Sequence, residues 1–109
     1  MQVFALTKSF PAEERFSLTD QVRRSSRSVA SNIAEAWRKR RYQAAFIAKL
    51  NDAEGEAAET QTCIEFALRC HYVAADDAAS LDQGYEDLLR QLVHMATHPE
   101  SWVIGDGKC

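Results

Sequence analysis

Residues 46–71 read FIAKLNDAEGEAAETQTCIEFALRCH, and the spacing of their apolar and small side chains decides the fold. Apolar and small side chains recur along this stretch in alternating steps of four and three residues, and we call this row of side chains the seam. Its members are Phe46, Leu50, Ala53, Ala57, Thr60, Ile64, Leu68 and His71. A repeat of this period is typical of helices that pack at about 20° in a bundle. The stretch therefore predicts a long helix with one face buried against other helices.

The segments on either side of this helix also have helical spacing. A second helix is predicted to begin near Ser17, and a fourth to run from about Asp76 to Thr97. The stripe of the second helix comprises Leu18, Val22, Ser25, Val29, Ile33 and Ala36. The stripe of the fourth comprises Leu81, Tyr85, Leu88, Leu92 and Met95. Residues 1–8 look like the last turns of a first helix, which ends before Pro11 because proline disfavours the α conformation at the preceding residue.

Short connections between these helices favour an all-α, up-and-down antiparallel four-helix bundle. We assign residues 1–98 to one helical-bundle domain and residues 99–109 to a C-terminal tail, where Trp102 and Ile104 need a surface to lie on. The first helix covers barely two turns, which would leave part of its groove open. We therefore expect that the natural chain starts upstream of Met1 or that another subunit covers the gap.

Charge is divided unevenly along the chain. Residues 1–49 contain ten Lys or Arg against four Asp or Glu, and residues 50–109 contain three against twelve. This division favours either an anionic partner for a basic face or contact between basic and acidic faces of neighbouring subunits.

The second helix carries a basic outward face. On a helical wheel, Arg24, Arg27, Ser31 and Arg38 fall within about 60° of one another and roughly opposite the apolar stripe. Further cations adjoin this face: Arg23, Lys39, Arg40 and Arg41. Such a surface can contact phosphates of RNA or DNA without reading base sequence. The alternatives are a solvated helix face, or one that pairs with the acidic residues Asp52, Glu56 and Glu59 of a neighbour.

Asn32 and Glu35 lie three residues apart at the margin of the apolar stripe. We interpret them as structural, with bonds to a loop or helix end around the Phe10–Pro11 turn that fix the first connection. A catalytic role would need a second acid or a nucleophile nearby, and none is identifiable.

The sequence offers little support for an enzyme, a cofactor or a metal site. It has no Gly-rich phosphate loop, and the Glu-x-x-His pairs of di-iron bundles are absent. Cys63 and Cys70 are about 10 Å apart along a helix, too far for a disulfide. With no signal peptide and no apolar run of about 18 residues, we expect reduced thiols in a cytoplasmic protein without a membrane span. His71 is interpreted as a cap at a helix terminus.

Three motifs in the first half of the chain occur together: LTKSFPAEE at residues 6–14, QVRR at residues 21–24 and NIAEA at residues 32–36. In this combination the chain resembles the four-helix-bundle family of proteins encoded in intervening sequences of bacterial 23S ribosomal RNA genes. The resemblance extends from Met1 to about Tyr72, and covers the last helix by pattern only.

The resemblance implies a cytoplasmic bundle that assembles as a ring of five subunits and has no known enzymatic activity. A related branch, the accessory variability determinant of diversity-generating retroelements, implies a protein partner and nucleic-acid binding through a basic surface. Ala36 stands where the family usually has Gly, so we expect the second helix to continue into Trp37 and Arg38. The first half or more of the family's first helix is absent.

Overall fold

The structure, a computed structural model, describes residues 2–15 and 17–104. Met1 and residues 105–109 of the predicted tail, with Cys109, lie outside the described residues. The elements are α1 (Gln2–Thr7), α2 (Leu18–Arg38), α3 (Gln43–Arg69) and α4 (Ala75–Thr97), with single 3-10 turns at Ala12–Glu14 and Pro99–Ser101. The predicted fold class is confirmed: the chain is an all-α four-helix bundle with a short first helix. It is elongated, at 53 × 24 × 17 Å.

Helix α3 is the central element, and it packs against both α2 and α4. The seam predicted from residues 46–71 is buried as far as Ile64, and Leu68 is half-buried. Helix α2 ends at Arg38, which confirms that it runs past Ala36. Lys39 lies in a non-helical conformation, and its N–H closes the last turn of α2. The connection from Lys39 to the start of α3 is four residues long.

The interpretation of His71 as a cap at a helix terminus is confirmed, but its place in the α3 seam is wrong. Helix α3 ends at Arg69, and His71 is exposed with a φ of 62°, in the left-handed region. The His71 N–H donates to the Leu68 carbonyl at 3.0 Å, and the Tyr72 N–H donates to the Ala67 carbonyl at 2.9 Å. These two bonds form a Schellman motif, in which glycine is the preferred residue at the left-handed position. His71 therefore ends the helix through its backbone.

Replacing His71 by Gly should raise the free energy of unfolding by about 1 kcal/mol, because a left-handed residue with a Cβ pays a steric cost that glycine does not. Urea denaturation followed by circular dichroism measures the change. His71→Ala is the matched control, since it removes the imidazole and keeps the Cβ. An equal gain from both substitutions would contradict the backbone explanation.

The bundle has two apolar clusters, one towards each end. The first contains Val3, Leu18, Val22, Cys63 and Ala67, and brings α1 onto α2 and α3. The second contains Ala36, Phe46, Leu50, Ala53 and Leu92, near the connection between α2 and α3. Between the clusters the Ser25 and Thr60 hydroxyls are 2.8 Å apart and fully buried, and each also lies within hydrogen-bond distance of a carbonyl of its own helix. Since each hydroxyl has one proton, one of them donates to the other, which donates to its own carbonyl. Buried hydroxyls satisfied in this way align α2 with α3 at little cost.

Glu14 organises the connection between α1 and α2. Its carboxylate accepts hydrogen bonds from the Tyr72 hydroxyl at 2.6 Å, from the Ser17 hydroxyl and from the Leu18 N–H at the start of α2. The bonds from Ser17 and Tyr72 lower the pKa of the Glu14 carboxyl below its ordinary value. The Tyr72 ring also packs on Phe10, with 5.6 Å between ring centroids. The Phe10–Pro11 turn is therefore attached to the segment that joins α3 to α4.

An apolar groove separates α2 from α4 in the middle of the bundle. Helix α1 covers one end of the space between these two helices, where it contacts both. At the other end the chain returns after α4, so that Trp102 and Val103 pack on the second cluster and the Ile104 N–H donates to the Arg40 carbonyl. The space between α2 and α4 stays open between these two covered ends. We call it the α2–α4 groove, and its volume is about 370 Å³. It is lined by Gln2, Ser26, Val29, Ala30, Ile33, Leu81, Gly84, Tyr85 and Leu88.

Candidate nucleic-acid interface

Arg24, Arg27 and Arg38 form a basic ridge along the outer face of α2. All three side chains are exposed, as is Ser31 between them. Within residues 2–15 and 17–104, none of the three forms an ion pair or a hydrogen bond. At 1.5 Å per residue the ridge is about 21 Å long. It therefore presents three uncompensated positive charges on one rigid helix.

Arg23 does not belong to this ridge, although it is next to Arg24 in sequence. It is half-buried, its Nε–H donates to the Thr7 hydroxyl at 2.7 Å, and its guanidinium lies 4.2 Å from the centroid of the Phe4 ring. The Thr7 hydroxyl in turn donates to the Phe4 carbonyl. Successive residues on a helix point about 100° apart, so Arg23 faces α1 while Arg24 faces outward. Arg23 fastens α1 to α2.

The cations that follow Arg38 have two different environments. Lys39 and Arg41 are exposed and extend the positive surface beyond the end of α2. The Arg40 guanidinium stacks 3.6 Å from the Trp37 ring centroid, and its Nε–H donates to the Trp37 carbonyl at 2.9 Å. Cation–π contact of this kind holds the charge in place against the ring. Arg40 is thus committed to the local structure at the end of α2.

Of the acidic residues of α3 that were candidates for a contact between subunits, one is bonded to α2 of the same chain. Glu59 accepts a hydrogen bond from Gln21, and Asp52 lies 3.8 Å from the Lys49 ammonium. Glu56 is half-buried, and one of its carboxylate oxygens is shielded from solvent without a hydrogen-bond partner in the described chain. This flank of α3 already has neighbours within the subunit.

Asn32 and Glu35 do not reach the Phe10–Pro11 turn, which corrects the sequence interpretation. The Asn32 amide donates to the Ser28 carbonyl of its own helix at 2.9 Å, and Glu35 forms an ion pair with Lys49 of α3 at 2.8 Å. The hydrogen bond from Lys49 lowers the pKa of the Glu35 carboxyl. The turn lies at the opposite end of α2, because α2 begins at Leu18 and rises about 1.5 Å per residue.

The two described cysteines lie in unlike environments. Cys63 is buried in the first cluster, where burial and then the charge of Glu59 raise the pKa of its thiol, while Cys70 is exposed at the end of α3. In the part of the chain that the structure describes, no three His, Cys, Asp or Glu side chains are placed to share a metal ion. Over the same residues, no helix combines the length and the apolar character that a membrane crossing requires.

Comparison with known proteins identifies the family. The model of the family described as 23S rRNA-intervening sequence protein matches residues 1–94. No curated protein matches the chain significantly. A solved structure from Bacteroides thetaiotaomicron VPI-5482, described as a protein with unknown function from the S23 ribosomal protein family, is 29% identical with a TM-score of 0.77. The match covers 86% of this chain and 87% of that one. The chain therefore belongs to the 23S rRNA-intervening sequence protein family, over nearly its whole length.

Proposed function

We propose that this protein is a non-catalytic, cytoplasmic accessory protein that assembles with itself, as a ring of five subunits, and binds nucleic acid through the basic ridge. The observation that carries the proposal is that Arg24, Arg27 and Arg38 are exposed on one face of a rigid helix without compensating carboxylates. Arginine in such a position binds phosphate with charge-assisted hydrogen bonds. Repetition of the ridge around an assembly would add to the affinity of each subunit.

The ridge favours recognition of the phosphate backbone over recognition of bases. Trp37, next to Arg38 in the sequence, has the Arg40 guanidinium stacked on its ring and lies edge-on to Trp102, with 6.4 Å between the ring centroids. A ring with one face already stacked on an arginine is a poorer platform for base stacking. We therefore expect binding that depends on salt and on the shape of the nucleic acid, with little preference for sequence.

Replacing Arg24, Arg27 and Arg38 together by Ala should abolish most of this binding. Three phosphate contacts change the association constant roughly 40-fold between 50 and 200 mM salt, since each contributes a slope of about −0.9 in a plot of log K against log salt. Filter binding with a 20-base-pair RNA duplex, and with a DNA duplex of the same sequence, measures the slope. The triple variant should lose about three units of it.

A control variant tests whether the position of the charges matters. Arg69 and Arg90 are also exposed, but each is paired with a carboxylate of its own helix, at 2.6 and 2.7 Å. The Arg69→Ala, Arg90→Ala variant should bind nearly as well as the wild type. Undetectable binding by the wild type at 50 mM salt, or equal losses in the two variants, would contradict the proposal.

In the competing function, the same ridge makes a contact with protein. Arg24, Arg27 and Arg38 would then contact acidic helix α3 of a neighbouring subunit or another protein. Light scattering on the same triple variant separates the two. A lower mass of the assembly would favour the subunit contact, because a broken interface dissociates. An unchanged mass with a reduced salt slope would support nucleic-acid binding.

A further inference from the structure

Two histidines lie side by side at the carboxyl end of α4. His94 is in the last turn of the helix, and His98 is the first residue after it. Their rings are stacked, with 4.3 Å between the centroids and 27° between the planes, and both side chains are exposed. Residues four apart lie on one face of a helix, and imidazole is the commonest metal ligand among side chains. This end of α4 therefore presents two neighbouring metal-binding groups to solvent.

Hydrogen bonds fix which nitrogen of the His98 ring carries the proton. Its Nδ1 lies 3.1 Å from the His94 carbonyl oxygen and 3.1 Å from the Thr97 hydroxyl oxygen. A carbonyl can only accept, and the Thr97 hydroxyl donates its own proton to the Val93 carbonyl at 2.8 Å. Nδ1 is therefore the donor, and Nε2 keeps a free lone pair. Metal-binding histidines are commonly held in this way, with one ring nitrogen donating to a backbone carbonyl and the other bound to the ion.

The surroundings of the pair leave room for an ion. Within residues 2–15 and 17–104, neither Nε2 atom has a hydrogen-bond partner, and neither ring is paired with a carboxylate. Arg90, one turn before His94, is paired with Asp87 at 2.7 Å, which reduces its repulsion of an incoming cation. His94 also lines an open hollow of about 300 Å³, together with Trp102. The hollow offers space for the water ligands of a bound ion.

The spacing of the rings suits a shared ion. Two nitrogens bound to one ion at about 2.0–2.1 Å are themselves roughly 3.0–3.4 Å apart. Since the His94 side chain is exposed and its ring makes no hydrogen bond within the described chain, rotation of that ring can bring its Nε2 to this distance from the His98 Nε2. No packed group has to move.

We infer that His94 and His98 together bind one divalent transition-metal ion of the kind that prefers imidazole, such as Zn²⁺ or Ni²⁺, through their Nε2 atoms. Two protein ligands leave the other coordination positions to water, so the ion is exchangeable, in contrast to a structural zinc ion enclosed by four protein ligands. The bound ion joins the last turn of α4 to the residue that follows it. It therefore stabilises the carboxyl end of the helix.

Ni²⁺ is the probe, because it is paramagnetic and quenches tryptophan fluorescence. Trp102 lines the same hollow as His94, so its emission should report binding. Titration of the wild type should give saturable quenching with one ion per chain by calorimetry, and Zn²⁺ should reverse the quenching by competition. His94→Gln and His98→Gln should each lower the affinity at least about tenfold, because each removes one of two ligands.

The sequence supplies a matched control for these substitutions. His71 is the third histidine of the chain, exposed near the opposite end of α4, so His71→Gln should bind Ni²⁺ as the wild type does. A variant with Cys70→Ser and Cys109→Ser should also keep the wild-type affinity, which separates imidazole from thiolate ligands. Circular dichroism verifies that each variant is folded.

Four outcomes would overturn the inference. The first is the absence of saturable quenching in the wild type, and the second is a wild-type affinity in either His94→Gln or His98→Gln. The third is an equal loss in His71→Gln or in the cysteine variant. The fourth is a stoichiometry of one ion per two chains, which would assign the ion to a contact between copies. None of the substitutions alters the basic ridge, so the result is independent of nucleic-acid binding.

Discussion

Replacement of Phe46 by Ala is expected to lower the free energy of unfolding by about 3–5 kcal/mol. The Phe46 side chain is fully buried in the second cluster, where it lies in one apolar group with Ala36 of α2 and Leu92 of α4. Its removal leaves a cavity where three helices meet, and the surrounding helices can close such a cavity only in part. Since a domain of this size is stable by about 5–15 kcal/mol, the variant would lose a large fraction of its stability.

Phe66 on the same helix is the control for this substitution, because its side chain is 56% exposed. Phe66→Ala should change the free energy of unfolding by no more than about 0.5 kcal/mol. Guanidinium denaturation, followed by circular dichroism at 222 nm, measures both. Similar losses in the two variants would contradict the assignment of Phe46 to the core.

A second large effect is expected at Leu92, with a lesser one at Leu88, one turn earlier on α4. Leu92→Ala should cost about 2–5 kcal/mol, because Leu92 is 2% exposed in the second cluster. Leu88→Ala should cost about 1 kcal/mol, because Leu88 forms a wall of the open groove and part of its surface is already in water. The chemical change is the same in both, so the difference measures how open the groove is.

The same denaturation experiment compares these two variants. Equal losses at Leu88 and Leu92 would mean that the groove is filled in solution. The Phe46→Ala and Leu92→Ala effects should not add when combined, since the two residues belong to one cluster and share a cavity.

The helices could be predicted from the sequence because their apolar spacing is long and regular. The seam of α3 predicted which side chains are buried up to Ile64, and the replacement of glycine by Ala36 predicted that α2 continues. His71 was assigned wrongly to the seam because it has the correct spacing. The spacing of buried side chains does not show where the backbone turns left-handed. Glycine, the usual sign of such a turn at the end of a helix, is absent at this position.

The outward position of Arg24, Arg27 and Arg38 also followed from spacing, since a helical wheel needs only the helix itself. The environments of Arg23 and Arg40 did not follow. Arg23 is held by residues of α1 that are distant in sequence, and Arg40 by an aromatic ring within its own turn. The ion pair of Glu35 with Lys49 likewise depends on how α2 packs against α3, so it did not follow from the spacing of residues within one helix. The one available signal for Arg40 was its spacing of three residues from Trp37, which places two side chains on one face of a helix.

The groove was foreseeable in part. A first helix of two turns predicted an open stretch beside α2, and the structure has one. The return of the chain after α4, which covers the far end with Trp102 and Val103, was not predictable, because Pro99 indicates only where α4 stops. Tertiary packing decides where a short segment lies once its helix has ended.

Trp37 and Trp102 are the two tryptophans of the sequence, and they lie against each other near the connection between α2 and α3. Tryptophan fluorescence, excited where tyrosine does not absorb, therefore reports on one end of the bundle alone, and the end that holds α1 contributes nothing to that signal. Circular dichroism averages over all the helices. Agreement between the two signals during denaturation would mean that the ends unfold together. Separate transitions would resolve the two clusters as independent units without any added label.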